Sequence, residues 1–385
     1  MADLLLPGAT LGVVGGGQLG RMFGIAARRL GYGLVVLDPT PGCPAAAVAD
    51  HQVVAAYDDL EAARELGRRA DRITFEFENA PASTLAALEE RVPVRPRPAV
   101  LETCRHRVLE KRFLSQSGFP VGRHAPISSA DELAREAEAF GPAILKRALG
   151  GYDGKGQARL DGPDRARAAW EAIGAPEGTD GLAPAVLEQV VRFRQEVSVV
   201  VARAEDGETA VFPVFQNDHA DGILDVTRMP ADLPADRAEE ARELALAIAR
   251  ALDVVGLLTV ELFDDGERFL VNELAPRPHN SGHVTIEAAR TCQFEQHVRA
   301  LCGLPLGSTE AVSPAAMANL LGERWGPHGP NVAGALDLRD VRLHLYGKAE
   351  ARPGRKMGHL TALGTTTEDA VGRVLRAREA FTARP

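Results

Sequence analysis

Apolar residues in the first hundred positions gather into short runs separated by stretches at helical spacing. Residues 11–15 and 32–38 are the runs, residues 18–30 and 60–70 are the helical stretches, and residues 72–77 read as a third strand. Strand and helix alternating in this way predict a parallel sheet wrapped by helices, an α/β arrangement. Three prolines within residues 93–98 then interrupt any regular element, so a domain boundary is expected near residue 100.

Beyond that boundary the pattern changes. Residues 104–116 read as a helix, 143–146 as a brief strand, 166–173 as a helix and 174–184 as a Gly/Pro-rich loop. Strands are expected at 185–189 and 196–204, and alanine-rich 235–252 reads as a long helix. Residues 256–263 and 269–274 predict a hairpin around Asp264-Asp265-Gly266. The tail from residue 341 carries a basic segment, 352–356, and a final helix at 367–381. A chain of 385 residues has room for two or three domains sharing a cleft.

Composition acts mainly by exclusion. A formal charge of -9 argues against general nucleic-acid binding. No stretch is apolar enough to span a bilayer and the first residues lack a signal-peptide pattern, so a cytoplasmic protein without membrane contact is expected. Four cysteines without CxxC spacing or a His pair suggest neither disulfides nor zinc. Lysine is scarce: Lys111, Lys146, Lys155, Lys348 and Lys356 are the only five among 44 basic residues. All but Lys111 fall within motifs, where a compact and flexible charge differs from the planar fork of arginine.

Gly15-x-Gly17-x-x-Gly20 follows a strand and opens a helix, with Asp38 ending the next strand. This spacing is the dinucleotide fingerprint, and equally a turn that serves another small anion or permits tight packing. Gly150, Gly151, Gly154 and Gly156 lie between or beside Lys146 and Lys155. Their backbone N–H groups could fold over phosphates as a closing lid, or the segment could be an ordinary surface loop. It is no Walker loop, because Leu149 and Gly156 stand where that motif needs a glycine and a hydroxyl.

Glu261 and Glu273 sit on the two arms of the predicted hairpin, and a loop of about five residues would set them directly opposite. Opposed carboxylates repel unless a cation lies between them, and Mg²⁺ suits one or two carboxylates with water and phosphate. Two unrelated solvent-facing acids are the alternative. Asn272 beside Glu273 offers a further oxygen. Residues 275–283 begin where that strand ends and include Arg277, His279, Asn280 and His283, which suits either a ligand loop or a proline-fixed turn. Lys348 and residues 352–356 form a cationic patch fit for a phosphate, or a solvated loop. No GxSxG, HExxH, Cys–His pairing or aromatic-rich basic stripe is present.

Taken together these motifs resemble the ATP-grasp superfamily, and within it the 5-(carboxyamino)imidazole ribonucleotide synthetase family of purine biosynthesis. The resemblance runs through residues 15–22, 74–79, 150–157, 272–283 and 352–359, the last two being the most specific. It implies an ATP-grasp fold mixing α/β and α+β: an N-terminal Rossmann-like domain, 1–102; a linker helix and lid, 103–187; a catalytic metal domain, 188–308; and a C-terminal subdomain, 309–385. It implies ATP contacts at Arg107, Lys146, Gly151, Tyr152, Asp153, Gly154, Lys155, Gly156, Gln157, Glu188, Gln189, Val190, Val191, Glu196, His219, Asn272 and Glu273. Magnesium, or manganese in its place, would lie on Glu261 and Glu273. Aminoimidazole ribonucleotide would contact Gln18, Glu76, Tyr152, Asp153, Lys155, Arg277, His279 and Asn280, with Lys348 and Arg355 on its phosphate. Lys155, Tyr152, Arg277 and His279 would be the catalytic set. Lys155 departs from the arginine expected in many relatives, keeping charge without the bidentate fork. A homodimer is also implied.

The implied reaction is coherent with the motifs. Bicarbonate takes the γ-phosphoryl group of ATP, and the amine captures the carboxyl group from carboxyphosphate, directly or after carbon dioxide is released. Such chemistry asks mainly for alignment, charge neutralisation and exclusion of water. Rival readings keep the machinery and change the acid or acceptor, as in formate-using glycinamide ribonucleotide transformylase or biotin carboxylase. Others make the first glycine turn the seat of an NAD-dependent oxidoreductase, or leave a nucleotide-sensing module without catalysis.

Overall fold

The apolar N-terminal runs form a parallel sheet in the order β3-β2-β1-β4: β1 (Thr10–Val14), β2 (Gly33–Leu37), β3 (His51–Val53) and β4 (Arg72–Phe75). The computed structural model describes residues 4–151, 154–174, 181–326 and 329–382. Strands β1 and β2 are unbroken apolar runs because both faces of the sheet are covered. Val14, Val35 and Ile73 pack on one side with Leu66 of α2 (Leu60–Arg69), while Leu11, Val13 and Leu34 pack on the other with Phe23 of α1 (Gln18–Arg29). The order reverses between β1 and β4, so their carboxyl ends open the crevice where open α/β sheets hold ligands.

The helix expected over 104–116 is in fact two. After α3 (Ala82–Glu89), helix α4 (Pro98–Arg105) begins with Pro98 in its first turn, and α5 (Arg107–Gln116) starts after an extended His106. The break gives the Arg107 N–H a partner outside the helix, Ala148 O at 2.9 Å, which ties α5 to the next sheet. That antiparallel sheet runs β5-β8-β6-β7, made of β5 (His124–Ile127), β6 (Ala143–Arg147), β7 (Gln157–Leu160) and β8 (Ala185–Gln189). Helices α6 (Ala130–Phe140) and α7 (Ala166–Ile173) cover one face around Leu133, Leu145, Leu160 and Leu187.

The third sheet carries nine antiparallel strands. Along β14-β13-β9-β11-β12-β15-β17-β16 lie β9 (Gln195–Arg203), β11 (Phe215–Ala220), β12 (Ile223–Met229), β13 (Gly256–Asp264), β14 (Phe269–Ala275), β15 (Ala315–Leu321), β16 (Val341–Leu345) and β17 (Lys356–Leu363), with β10 (Thr209–Val211) on β9. Helix α8 (Ala235–Ala251) packs Ala241, Ala245 and Ile248 against Val199, Val201 and Leu258. Pairing of β12 with β15, from Val226↔Ala318 to Met229↔Ala315, carries the sheet into the C-terminal region without a break. Polar β11 and alanine-rich β15 lack the β-branched, alternating signature of a strand, which is why the sequence pattern passes over them.

Candidate active site

The hairpin β13–β14 does set Glu261 directly opposite Glu273. The geometry behind it differs from the five-residue loop expected. Asp264 still pairs with Phe269, leaving a loop of four residues, 265–268, and the register slips by one between Glu261↔Glu273 and Leu262↔Val271. The extra residue is Asn272, a β-bulge. Val271 and Leu274 belong to the hydrophobic core, so the bulge lets Asn272 and Glu273, neighbours in sequence, both stand on the other face. His279 Nε2 lies 3.0 Å from Glu261 Oε1, and Arg107 Nη1 donates to Glu273 Oε2 at 3.1 Å. Burial raises the Glu261 pKa, but His279, His219 and Lys356 outweigh it and hold the carboxyl at about 2. Two carboxyl groups opposed across a sheet fit a hard divalent cation, with Asn272 Oδ1 beside them, buried and without a hydrogen-bond partner among the described residues.

Charges from three elements converge next to this pair. Lys146 on β6 donates to Glu188 Oε2 on β8 at 2.8 Å, and Lys111 Nζ on α5 lies 3.9 Å from the same oxygen. Burial would raise Glu188, yet Lys111, Lys146 and Arg107 bring it down to about 2. Across the large sheet His219 Nδ1 sits 2.5 Å from Glu196 Oε2; burial lowers its pKa, and the carboxylate more than restores it. Val190 and Val191 are half-buried after β8, while the Gln189 side chain turns away to Phe140 O at 3.2 Å.

The glycine segment is the turn of the β6–β7 hairpin, with Lys146 paired to Gln157. Tyr152 and Asp153 lie outside the described residues. Gly154 has φ +75°, and a Cβ there would lie 3.4 Å from Asp221 O at the tip of β11–β12. The loop therefore reaches from the small sheet to the large one, as a lid must. Gly151 lies beside Arg107, and a Cβ on it would be 3.1 Å from Lys155 O. Lys155 in the loop and Gln157 at the start of β7 are exposed, and Gly156 is half-buried.

At the crevice between β1 and β4, the first glycine motif already holds an anion. Glu76 accepts Gly17 N–H through Oε1 and Gly20 N–H through Oε2, the latter at 2.7 Å. A Cβ on Gly17 would approach Glu76 Oε1 to 2.5 Å, so glycine is required for this contact. Asp38 is equally committed: it accepts Gly16 N–H at 2.8 Å, Thr40 N–H at 2.8 Å and the Tyr57 hydroxyl at 2.6 Å. An internal carboxylate thus takes the pyrophosphate position of a dinucleotide fingerprint, and the ribose acid is buried among its own partners. The motif serves the chain's own Glu76, beside which Gln18 opens α1.

Residues after β14 join the two regions. Arg277 Nη2 meets Glu78 Oε1 at 2.5 Å; burial lowers the Arg277 pKa, and Glu78, with Glu273 and Glu76, more than restores it. His279 Nδ1 faces Ser281 Oγ at 2.9 Å and receives Ser281 N–H at 3.3 Å. With Nδ1 an acceptor, the proton sits on Nε2 and points at Glu261. Both amide atoms of Asn280 are buried without a protein partner, aimed for hydrogen bonds the described residues do not fill. Burial raises the Glu76 pKa, and the Gly20 and Gly17 N–H groups and Lys348 offset only part of the rise; Lys348 Nζ also lies 5.8 Å from the centre of the Tyr346 ring, whereas Arg355 Nη1 binds Glu350 O at 3.0 Å. Sequence motifs pointed to Glu78 and Lys356 without giving them places; Glu78 is the counter-ion of Arg277, and Lys356 acts on Glu261 and His219. Lys111 and Glu110 escaped altogether, although the scarcity of lysine was a signal.

An ATP-grasp domain model matches residues 112–294, a ribonucleotide synthetase preATP-grasp domain model matches 8–105, and a phosphoribosylaminoimidazole carboxylase C-terminal domain model matches 315–373. N5-carboxyaminoimidazole ribonucleotide synthase of Brucella melitensis is 46% identical over 368 residues, covering 94% of this chain and 98% of the relative. The Bacillus subtilis protein of the same name is 40% identical, covering 93% and 92%. Among solved structures, an ADP complex of N5-carboxyaminoimidazole ribonucleotide synthetase superposes with a TM-score of 0.91 at 40% identity, over 99% of this chain and 98% of that one. An Aspergillus clavatus N5-carboxyaminoimidazole synthase in complex with ADP and 5-aminoimidazole ribonucleotide has a TM-score of 0.87 at 30% identity, over 97% and 98%. With sequence and fold agreeing from the first strand to the last, this chain belongs to the N5-carboxyaminoimidazole ribonucleotide synthase family.

Proposed function

We propose that this chain carboxylates 5-aminoimidazole ribonucleotide with bicarbonate and ATP, giving N5-carboxyaminoimidazole ribonucleotide, ADP and phosphate. The observation that carries the reading is the opposition of Glu261 and Glu273 between the Lys146–Glu188 pair and the Arg277–His279 loop. A bicarbonate oxygen attacks the γ-phosphorus of ATP, the bond to the β-bridging oxygen breaks, and carboxyphosphate forms. The amine nitrogen then bonds to the carboxyl carbon, phosphate leaves, and the amine gives up a proton.

Each region has a part in this. Lys146, Glu188, Glu196 and His219 suit the nucleotide, with the Gly150–Gly156 loop closing over its phosphates. A divalent ion on Glu261 and Glu273 would neutralise phosphate charge. All-oxygen donors favour Mg²⁺, with Mn²⁺ able to replace it. Arg277 and His279 Nε2–H suit the carboxyl group, and Asn280, Glu76 and Gln18 the ribonucleotide, with Lys348 and Arg355 near its phosphate. Burial of the crevice under the lid protects carboxyphosphate from water. The working form is taken to be a cytoplasmic homodimer, on the resemblance to its relatives, with four working parts divided near residues 102, 187 and 308.

Phosphate release tests the substrate: bicarbonate with aminoimidazole ribonucleotide should stimulate ATP turnover, and formate with glycinamide ribonucleotide should not. Turnover on the second pair alone would overturn the reading. Glu273→Gln should reduce turnover by about a hundredfold or more while changing stability by about 1 kcal/mol or less, because this half-exposed side chain makes one ion pair.

A further inference from the structure

Glu110 and Lys111 take no part in the chemistry above, yet they are only 1% and 2% exposed beside the site. Both reach β14 through its main chain. Lys111 Nζ donates to Asn272 O at 2.5 Å, and Glu110 Oε2 accepts Leu274 N–H at 2.8 Å. These two backbone groups flank Glu273, at the residue that interrupts the β13–β14 ladder. Strand β14 is also the edge of its sheet, where Val271 N–H bonds Pro120 O at 2.8 Å and the side chains of α5 serve Asn272 and Leu274. A buried main-chain group left without a partner is costly, and a bulge held by nothing would relax toward regular alternation.

Helix α5 therefore does the work of a neighbouring strand at this one point. Apolar side chains would fill the same space without the cost of desolvating two ionisable groups. What an apolar pair could not do is hold the bulge.

We propose that Glu110 and Lys111 are positioning residues for the metal site: they pin the Asn272 bulge, which turns Asn272 and Glu273 to one face with Glu273 opposite Glu261. This rests on the reading of Glu261 and Glu273 as the metal pair. Lys111 also neighbours Glu188, 3.9 Å away, so Glu110 gives the cleaner test.

The experiment measures Mn²⁺ affinity of the full chain with saturating ADP, by electron paramagnetic resonance of free Mn²⁺, together with ADP affinity without metal. Glu110→Gln keeps an acceptor for Leu274 N–H, and Glu110→Leu does not. Glu110→Leu should weaken Mn²⁺ about tenfold or more, Glu110→Gln should stay close to the parent, and metal-free ADP binding should be unchanged in both. The proposal is overturned if Glu110→Leu binds Mn²⁺ like the parent, if Glu110→Gln loses as much, or if metal-free ADP binding falls in parallel. Should Glu110→Leu not fold, Lys111→Gln replaces it, and undiminished Mn²⁺ affinity there overturns the proposal as well. Glu273→Gln is the control: if it too leaves Mn²⁺ affinity untouched, the metal reading itself fails and the positioning role falls with it.

Discussion

His297 lies beneath the crevice on the helix Gln293–Cys302, 1% exposed, with Nε2 2.8 Å from Thr74 Oγ1 two residues before Glu76. Its Nδ1 is buried without a hydrogen-bond partner among the described residues, and burial brings its pKa from 6.5 down to about 3. The folded state therefore keeps His297 neutral where the unfolded chain binds a proton. Stability from this group is full above pH 6.5 and is lost as pH falls toward 3, at about 1.4 kcal/mol per unit. Replacing it by glutamine removes the titration while keeping a polar group for Thr74. Near pH 7.5 His297→Gln should be less stable than the parent by about 1 kcal/mol, an ordinary repacking cost. Near pH 4.5, two units below the unfolded pKa, the parent has lost about 2.7 kcal/mol through this proton. The order should therefore reverse, with the variant more stable by about 1–2 kcal/mol. Other titrating groups, Glu110 among them, act in both proteins and cancel. Urea unfolding of both proteins at the two pH values reads the difference; a gap independent of pH would refute the account.

Two further perturbations test the crevice and the lid. Glu76→Gln removes the anion from the start of α1 while nearly keeping its shape, so KM for aminoimidazole ribonucleotide should rise about tenfold with KM for ATP unchanged, as initial rates would show. Equal rises in both constants would place Glu76 elsewhere in function. Gly154→Val forces a β-branched residue into φ +75° against Asp221 O, at a cost of about 1–3 kcal/mol. The closed lid should be depopulated, so ADP formed per carboxylated product should rise above one; an unchanged ratio would show that this loop does not protect the intermediate.

Much of this protein was legible in its residues alone. Apolar runs marked β1 and β2 because a doubly covered parallel sheet demands them, and Glu261 and Glu273 could be set opposite each other because strand periodicity is local. The segments 272–283 and 352–359, being contiguous, carried the most specific part of the family resemblance. Tertiary structure decided what contiguity cannot express. The register of Glu273 came from a bulge rather than a longer loop, and that bulge is held by side chains about 160 positions away, Glu110 and Lys111. The fingerprint glycines face Glu76 across a separation of 56 and 59 residues, which converted an apparent cofactor turn into an internal anion site. Chain periodicity reports which face a residue occupies; which distant charge meets it there is fixed only when whole elements pack, because burial makes every polar group find a partner from whatever the fold brings near.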